Sequence, residues 1–472
     1  MQLIQNEDGL SDLYKFIRIG NKSLLIKGRS GTGKVTLSFE LASMYRDKFD
    51  TVFVSRKINE FELYKRYPWI KEFIRRDNII SVTDTGNMFA DSPLFAITNL
   101  LNSLTNLTTR VEDPFIALEG PTKPFVILDV WDSISKEIDT ATRIRVEKAL
   151  LSLTDKHIGF IIFITEELDD TSLEHMVDGI VRLDQTFYKS YRLRDMKIEK
   201  LKGTHIIKPK VPFTLEGGRF RTFSTISHSI SEKPTLFEAI NHTDQYYSTG
   251  NIELDEKLNG GFKKGSIISI EIDEEVDRFV FVPLFAPLAL NFISQGESAL
   301  IISSQDQHVS AVTRYLIPYA RKDDINNFLR VVGSDTEEFA PYIASIDSRR
   351  FHEVYNSWLM LYKDLKSKSK HCIITIDYSF AELEYRDDIK QILKSIIELC
   401  RIVRASGDLL IITSRPNYKT LEVTRSVSDI HLRIFEYAGA TMLASIKPQL
   451  FLCNIQLDHS RGYPNAKLLE ST

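Results

Sequence analysis

The sequence predicts an α/β protein built as two tandem cores, each a mainly parallel β-sheet flanked by helices. Three observations lead there. Short β-branched apolar runs alternate with longer helical stretches through most of the chain, the pattern of strands buried on both faces. The first such strand enters a glycine-rich loop, Gly28 to Lys34, that opens the first long helix. The strand landmarks then recur: Ala299 follows Thr51, and Asp377 follows Asp129, by the same 248 positions.

The loop lies in SLLIKGRSGTGKVTLSFELASMYRDKF, which starts at Ser23. Leu24–Ile26 reads as a buried strand, and Lys34–Tyr45 as the helix. Gly28, Gly31 and Gly33 let successive backbone N–H groups curl toward one centre, with the helix N-terminus behind them. That is a cradle for phosphate. Lys34 supplies a positive charge for the terminal phosphates, and the Thr36 hydroxyl lies further into the helix. The nucleotide-binding set is therefore Gly28, Arg29, Ser30, Gly31, Thr32, Gly33, Lys34, Val35 and Thr36, with ATP as the natural ligand. Val35 stands where the motif places a serine or threonine to ligate magnesium, so the cradle is kept and the metal site is weakened.

The elements follow in order. TVFVS (Thr51–Ser55) and NIISV (Asn78–Val82) read as parallel strands, and FAITNLLNSL as a helix. PFVILD ends in Asp129, a carboxylate at a strand's C-terminal end beside the phosphate loop, and thus the candidate magnesium ligand. Asp132 in DVWDSI reads as a helix cap, and with Glu166 it is also a candidate for positioning water. A helix (Thr140–Leu153) and the strand His157–Thr165 complete the first parallel core, with ligands expected at the strand C-terminal edge. From Val177 the alternating segments read as antiparallel strands.

The expected organisation is a nucleotide-binding domain over 1–226, a Ser/Thr/His-rich linker over 227–245 with one short helix, and a second domain over 246–472. In the second copy LLIITS (Leu409–Ser414) answers to FIIFIT, and VSDIHLRI to VDGIVRL. Its phosphate loop is gone. IEIDEEVDRFVFV carries Asp273, Glu274, Glu275 and Asp277 with neither glycine nor lysine, and such a loop repels a triphosphate.

Composition excludes other classes. A formal net charge of −4 gives no global basic field for nucleic acid or an anionic membrane. The three cysteines, Cys372, Cys400 and Cys453, lie apart in apolar runs and read as reduced core thiols of a cytoplasmic protein. Phe279–Ile293 is too short to span a membrane and carries two prolines; it reads as a buried helix.

At these residues the chain resembles the KaiC-like branch of the RecA-superfamily ATPases, and more closely its archaeal members akin to the gas-vesicle regulator GvpD. Ser248–Ser266, STGNIELDEKLNGGFKKGS, is similar to the entry segment of a KaiC-like domain, and LKGTHIIKPKVPFTLEGGRF to its closing β segment. The resemblance implies two RecA-like P-loop domains, the second degenerate. It also implies that Lys200 and Lys202 approach the γ-phosphate of a neighbouring subunit, hence a homo-oligomeric ring, commonly a hexamer. The family's activating glutamates are replaced by Arg56 and Lys57, and a guanidinium is no general base. In the second copy Gln305 and Asp306 take that place.

The expected function is regulatory: an ATP-binding protein of slow or absent hydrolysis that acts on a neighbouring subunit or an unidentified client. Three other classes stay open, namely a RecA/RadA-like DNA recombination accessory, a competent magnesium-dependent ATPase and a nucleotide-free scaffold. No membrane partner is expected, and nucleic acid is not indicated.

Overall fold

The computed structural model describes residues 9–55, 60–81, 123–129, 131–136, 138–156, 159–166, 168, 172–226, 230–277, 280–302, 309–333, 340–346, 348 and 350–472. Arg56, Lys57, Gln305, Asp306 and the helix expected in FAITNLLNSL lie outside them. The chain divides into two compact units, residues 1–223 with 471–472, and residues 224–470.

Unit 1 holds strands β1 (Lys22–Gly28), β2 (Phe49–Ser55), β3 (Ile79–Ser81), β4 (Lys123–Leu128), β5 (Phe160–Thr165), β6 (Gly179–Tyr188), β7 (Tyr191–Leu201), β8 (Lys210–Thr214) and β9 (Arg221–Thr222). They form one sheet in the order β3-β2-β4-β5-β1-β6-β7-β8-β9. Pairing is parallel from β3 to β6 and antiparallel beyond. The parallel strands are apolar almost throughout because both faces are covered, so alternation is absent where the sequence shows solid runs. On one face lie α1 (Ser11–Ile19) and α2 (Lys34–Ser43), packed through Phe16, Leu37, Phe39 and Leu41 on Ile26, Phe53, Ile127 and Ile162. The other face carries α4 (Trp131–Ser135) and α5 (Thr140–Lys156); α3 (Glu60–Arg66) and α6 (Ser172–Met176) fill the flanks.

Unit 2 repeats this order. Its large sheet runs β15-β14-β13-β16-β17-β12-β18-β19-β20-β21. These strands are β12 (Ile267–Ile272), β13 (Ser298–Ile302), β14 (Leu329–Gly333), β15 (Ile343–Ser345), β16 (Cys372–Asp377), β17 (Leu409–Ser414), β18 (Ile430–Tyr437), β19 (Ala440–Lys447), β20 (Leu452–Asp458) and β21 (Asn465–Glu470). A small ribbon of β10 (Tyr246–Tyr247) and β11 (Phe262–Lys263) precedes them. Apart from β15 and the ribbon, each of these strands has its counterpart at the same place in unit 1. α7 (Ile252–Lys257) is capped by Asn251, whose side chain accepts from the Leu254 amide. The apolar run read as a buried helix is α8 (Phe281–Ser294), buried from Phe281 to Ile293.

The same aspartate locks the core strand in both units. Asp178 Oδ2 accepts the Ser23 amide at 3.1 Å, and Asp429 Oδ2 accepts the Ile267 amide at 2.8 Å. Residues 230–245 form no helix; they lie on unit 2, with the Phe237 amide bonded to the Tyr319 carbonyl and the Ile240 amide to Asn291.

Candidate functional site

β5 lies between the loop strand β1 and the aspartate strand β4. Along the C-terminal edge of unit 1 the strand ends therefore present, in order, the loop after Gly28, Glu166 after β5, Asp129 after β4 and Ser55 at the end of β2.

The loop is formed. Gly31 and Gly33 have φ of 79° and 95°, the left-handed region that glycine takes without strain. A Cβ on Gly33 would also meet Leu215 at 2.8 Å. No side chain caps α2 at Gly33, so the amides of its first turn are left directed at the loop. Arg29, Ser30 and Gly31 are exposed, whereas Thr32 is buried and bonds the Arg29 carbonyl through Oγ1 at 2.8 Å. Lys34, itself buried, donates from Nζ to the carbonyls of Gly28 (2.7 Å) and Arg29 (3.0 Å) and lies 3.9 Å from Glu166 Oε1. Val35 packs half-buried on the core, and the buried Thr36 hydroxyl faces Tyr67 Oη at 3.4 Å.

Few side chains at this edge could serve a magnesium ion. Asp129 is bonded by Ser55 Oγ at 3.4 Å, and its amide is fixed by the Val54 carbonyl. These two oxygen-bearing side chains suit a hard cation held jointly by phosphate oxygens, while Val35 adds no ligand. Among the described residues no group of three or more His, Cys, Asp or Glu could hold a metal ion alone.

Asp132 does not cap α4. Its carboxylate accepts from Thr165 Oγ1 and from the Glu166 amide, tying α4 to the end of β5. The reading as a cap fails because the strand order brings β5 alongside the start of α4, which sequence neighbours cannot reveal. Asp132 thus orients Glu166 beside Lys34.

Lys200 and Lys202 are brought to the other side of the sheet. Lys200 pairs in register with Ile180, and Ile180 with Leu25, three residues before Gly28. Lys200 Nζ donates to the Glu174 carbonyl at 2.9 Å, and Lys202 Nζ lies 3.5 Å from Asp178. Burial, and then the charge of Lys202, lower the Lys200 pKa. Unit 2 has the same lysine: the β6–β7 ladder slips at Ile180/Val181 and the β18–β19 ladder at His431/Leu432, and opposite the second slip Lys447 donates to the Ser428 carbonyl at 2.6 Å. Lys200 is therefore part of the hairpin's construction in a unit with a phosphate loop and in one without.

The two edges carry opposite charges. In unit 1, Lys27 is buried and ion-paired to Glu174 at 2.5 Å. At the same place in unit 2, Glu271 is ion-paired to Arg425, and its partner residues stand four before the locking aspartates, as Glu174 does. Arg29 is answered by Asp273, and Glu166 by Arg415, each the first residue after its strand. Asp273 does not stand open: Arg433 forks onto it at 2.8 and 2.9 Å, and Arg415 donates to its carbonyl at 2.6 Å. Burial would raise the Glu271 pKa, but hydrogen bonds from His431 and Arg425 and the charges of Arg425 and Arg433 outweigh it and pull the carboxyl to about 2. Asp377, the counterpart of Asp129, caps α9 (Tyr378–Glu384) by accepting the Ser379 amide at 3.0 Å. Between α8 and the sheet lies a cavity of about 40 Å³, lined by Phe281, Phe285, Ala289, Thr375, Asp377 and Thr413. That is room for about three water molecules.

Sequence reasoning found the loop, Asp129 and Glu166 but missed the Ser55–Asp129 contact and the Lys27–Glu174 pair. The signal was a charge reversal between the halves. It is hidden because Ile267 follows Ser23 by 244 positions while Arg425 follows Glu174 by 251.

The comparisons agree with this geometry. The profile of the P-loop domain of the GvpD gas vesicle protein matches residues 14–199. Protein GvpD2 of Halobacterium salinarum is 22% identical over 95% of this chain and 93% of its own length. Protein GvpD1 of the same organism is 23% identical over 62% of this chain and 55% of its own length. The circadian clock oscillator protein KaiC of Picosynechococcus sp. is 22% identical over 72% of this chain and 69% of its own length. A glycine loop on β1, an aspartate one strand removed and a second unit of the same strand order accompany these matches: residues 14–199 carry a P-loop domain of the GvpD type, and the chain is similar to GvpD2 and to KaiC over most of its length.

Proposed function

We propose that unit 1 binds ATP on Gly28–Thr36 and that the chain is a regulatory protein of weak hydrolysis, responding to ATP occupancy through contacts with further copies of itself or with a protein client. The observation that carries this reading is the formed loop around Lys34 with Val35 in place of a hydroxyl. In-line attack needs a metal and a positioned water. The metal here is left to Asp129 and Ser55, and Glu166, the carboxylate beside Lys34, is partly committed to that lysine's charge.

Calorimetry with ATP, first with magnesium and then with EDTA, tests the reading. Wild-type affinity is expected to change little on chelation. Val35→Thr returns a hydroxyl to the metal position and should make binding magnesium-dependent by about tenfold, the worth of one charge-assisted contact. Strong magnesium dependence of the wild type, with turnover lost in Asp129→Ala, would replace the sensor with a competent ATPase. No binding in either buffer would leave a scaffold.

The assembly belongs to the same proposal. Lys202, about half exposed, is the better of the two lysines for meeting a neighbouring copy's nucleotide, since Lys200 has its structural double in Lys447. Sedimentation should show ATP shifting the chain toward a ring, hexameric by analogy with the family, and Lys202→Ala should blunt the shift. An ATP-independent mass would remove the ring from the reading.

A further inference from the structure

The cavity under α8 in unit 2 lies where unit 1 carries three core isoleucines. Register gives the correspondence. Ile127 pairs with Ile162 as Thr375 pairs with Ile411, and two residues further along, Ile164 answers to Thr413. Ile127, Ile162 and Ile164 all belong to the core that α2 covers. Two of these three isoleucines are therefore threonines in unit 2, and both threonines line the cavity.

These hydroxyls are not held by the chain. Thr413 is 5% exposed, and among the described residues neither its hydroxyl nor that of Thr375 has a hydrogen-bond partner. A hydroxyl turned into an apolar cavity costs stability unless something meets it, so two of them in one cavity point to an occupant. The polar groups also share one end. Asp377 pairs in register with Thr413 and stands two residues after Thr375, on the same face of β16. Deeper in, the walls are Ile373 and Ile411 with Phe285 of α8. The cavity is thus polar toward the strand ends, where Asp377 and Thr375 are only half-buried, and apolar within.

Charge selects the sign of the occupant. Asp377 is held as an acceptor, its Oδ1 taking the amides of Ser379 at 3.0 Å and Phe380 at 3.3 Å. At the same sheet edge the loop after β12 brings Asp273, Glu274, Glu275 and Asp277. The arginines there, Arg415 and Arg433, both bond Asp273. An anion is disfavoured at such an edge, and a cationic donor is met by one carboxylate and two hydroxyls. The space for about three waters corresponds to about 90 Å³ of liquid, which suits a chain of about four carbons.

We propose that this cavity binds a small primary ammonium ion with a short apolar body, its head on Asp377, Thr375 and Thr413 and its carbons against Ile373, Ile411 and Phe285. The site lies wholly in unit 2 and does not rest on the proposed ATP site. It gives the half without a phosphate loop a ligand of its own, of opposite charge to a nucleotide.

The test is a saturation-transfer NMR titration of the full chain at constant ionic strength with three probes of one shape: isobutylammonium, isobutanol and isobutyrate. Wild type should bind the ammonium ion with a Kd of about 1 mM, within what five heavy atoms can supply. Isobutanol should bind at least about tenfold more weakly, and isobutyrate not at all. Asp377→Asn should remove the preference for the ammonium ion over the alcohol. Thr413→Val, which keeps the shape, should weaken the ammonium ion by about fivefold without lowering the melting temperature, since the hydroxyl it removes has no partner in the chain. Lys34→Ala should bind the ammonium ion as wild type does, whatever it does to ATP. Absence of ammonium binding, equal binding of the three probes, or wild-type behaviour of both Asp377→Asn and Thr413→Val would overturn the proposal. So would loss of the ammonium ion in Lys34→Ala, which would move it to the phosphate loop.

Discussion

Lys34→Ala is expected to lower ATP affinity by about 100-fold, close to 3 kcal/mol, the loss that follows when one member of a buried, hydrogen-bonded charge contact is truncated. The side chain is buried behind the loop, and its Nζ is held on the Gly28 and Arg29 carbonyls, where incoming phosphate oxygens can take over its protons. Those bonds run from a charged donor to neutral carbonyl acceptors, so exchanging the carbonyls for an anion is favourable. Calorimetry gives the number directly. An affinity within threefold of wild type would mean that the loop amides alone hold the ligand, or that ATP binds elsewhere. Glu166, 3.9 Å from Nζ, works in the opposite sense, since its carboxylate shares the lysine with any terminal phosphate.

The second large effect concerns the buried pair below the loop. Glu174→Ala leaves Lys27, whose side chain is 3% exposed, with no carboxylate, and is expected to destabilise unit 1 by about 3 kcal/mol. The lower part of the usual range applies because Lys27 also donates to the Leu168 carbonyl at 3.1 Å. Hydrogen exchange of the β1 amides reports unit 1 apart from unit 2, and faster exchange there is the expected result. Lys27→Glu alone should be worse, with two carboxylates facing each other. Combining Lys27→Glu with Glu174→Arg copies the Glu271–Arg425 pair of unit 2 and should recover most of the loss. Unchanged β1 exchange in Glu174→Ala would show that the pair contributes nothing to the fold.

Much of this was legible in the residues. The solid apolar runs of β1, β4, β5, β12, β16 and β17 announce strands covered on both faces, and the glycines announce the loop because few other sequences meet its dihedrals. Ends were harder. The helix expected over Lys34–Tyr45 closes at Ser43, where the last turn frays into turns that pass to β2. What could not be read depends on register. Asp132 meets Glu166 and Ser55 meets Asp129, and each fact is set by which strands adjoin, not by the neighbours in sequence. The linker's Ser/Thr/His-rich composition suggests an interdomain connector with one short helix, whereas residues 230–245 form no helix and Phe237 and Ile240 bond to unit 2.

A β-bulge is one extra residue in one strand, and removing it slides every side chain beyond it onto the opposite face. Substitutions, by contrast, need ask permission of only their nearest neighbours. Both hairpins keep the slip at the same step, while the loop glycines stand in one half alone and Lys27, Arg29, Glu166 and Glu174 are matched in the other by residues of opposite sign. The hairpin frame is thus what the two halves hold in common, and the loop is where they part. The two halves are therefore best superposed from Ile180 and His431 outward, where their frames coincide.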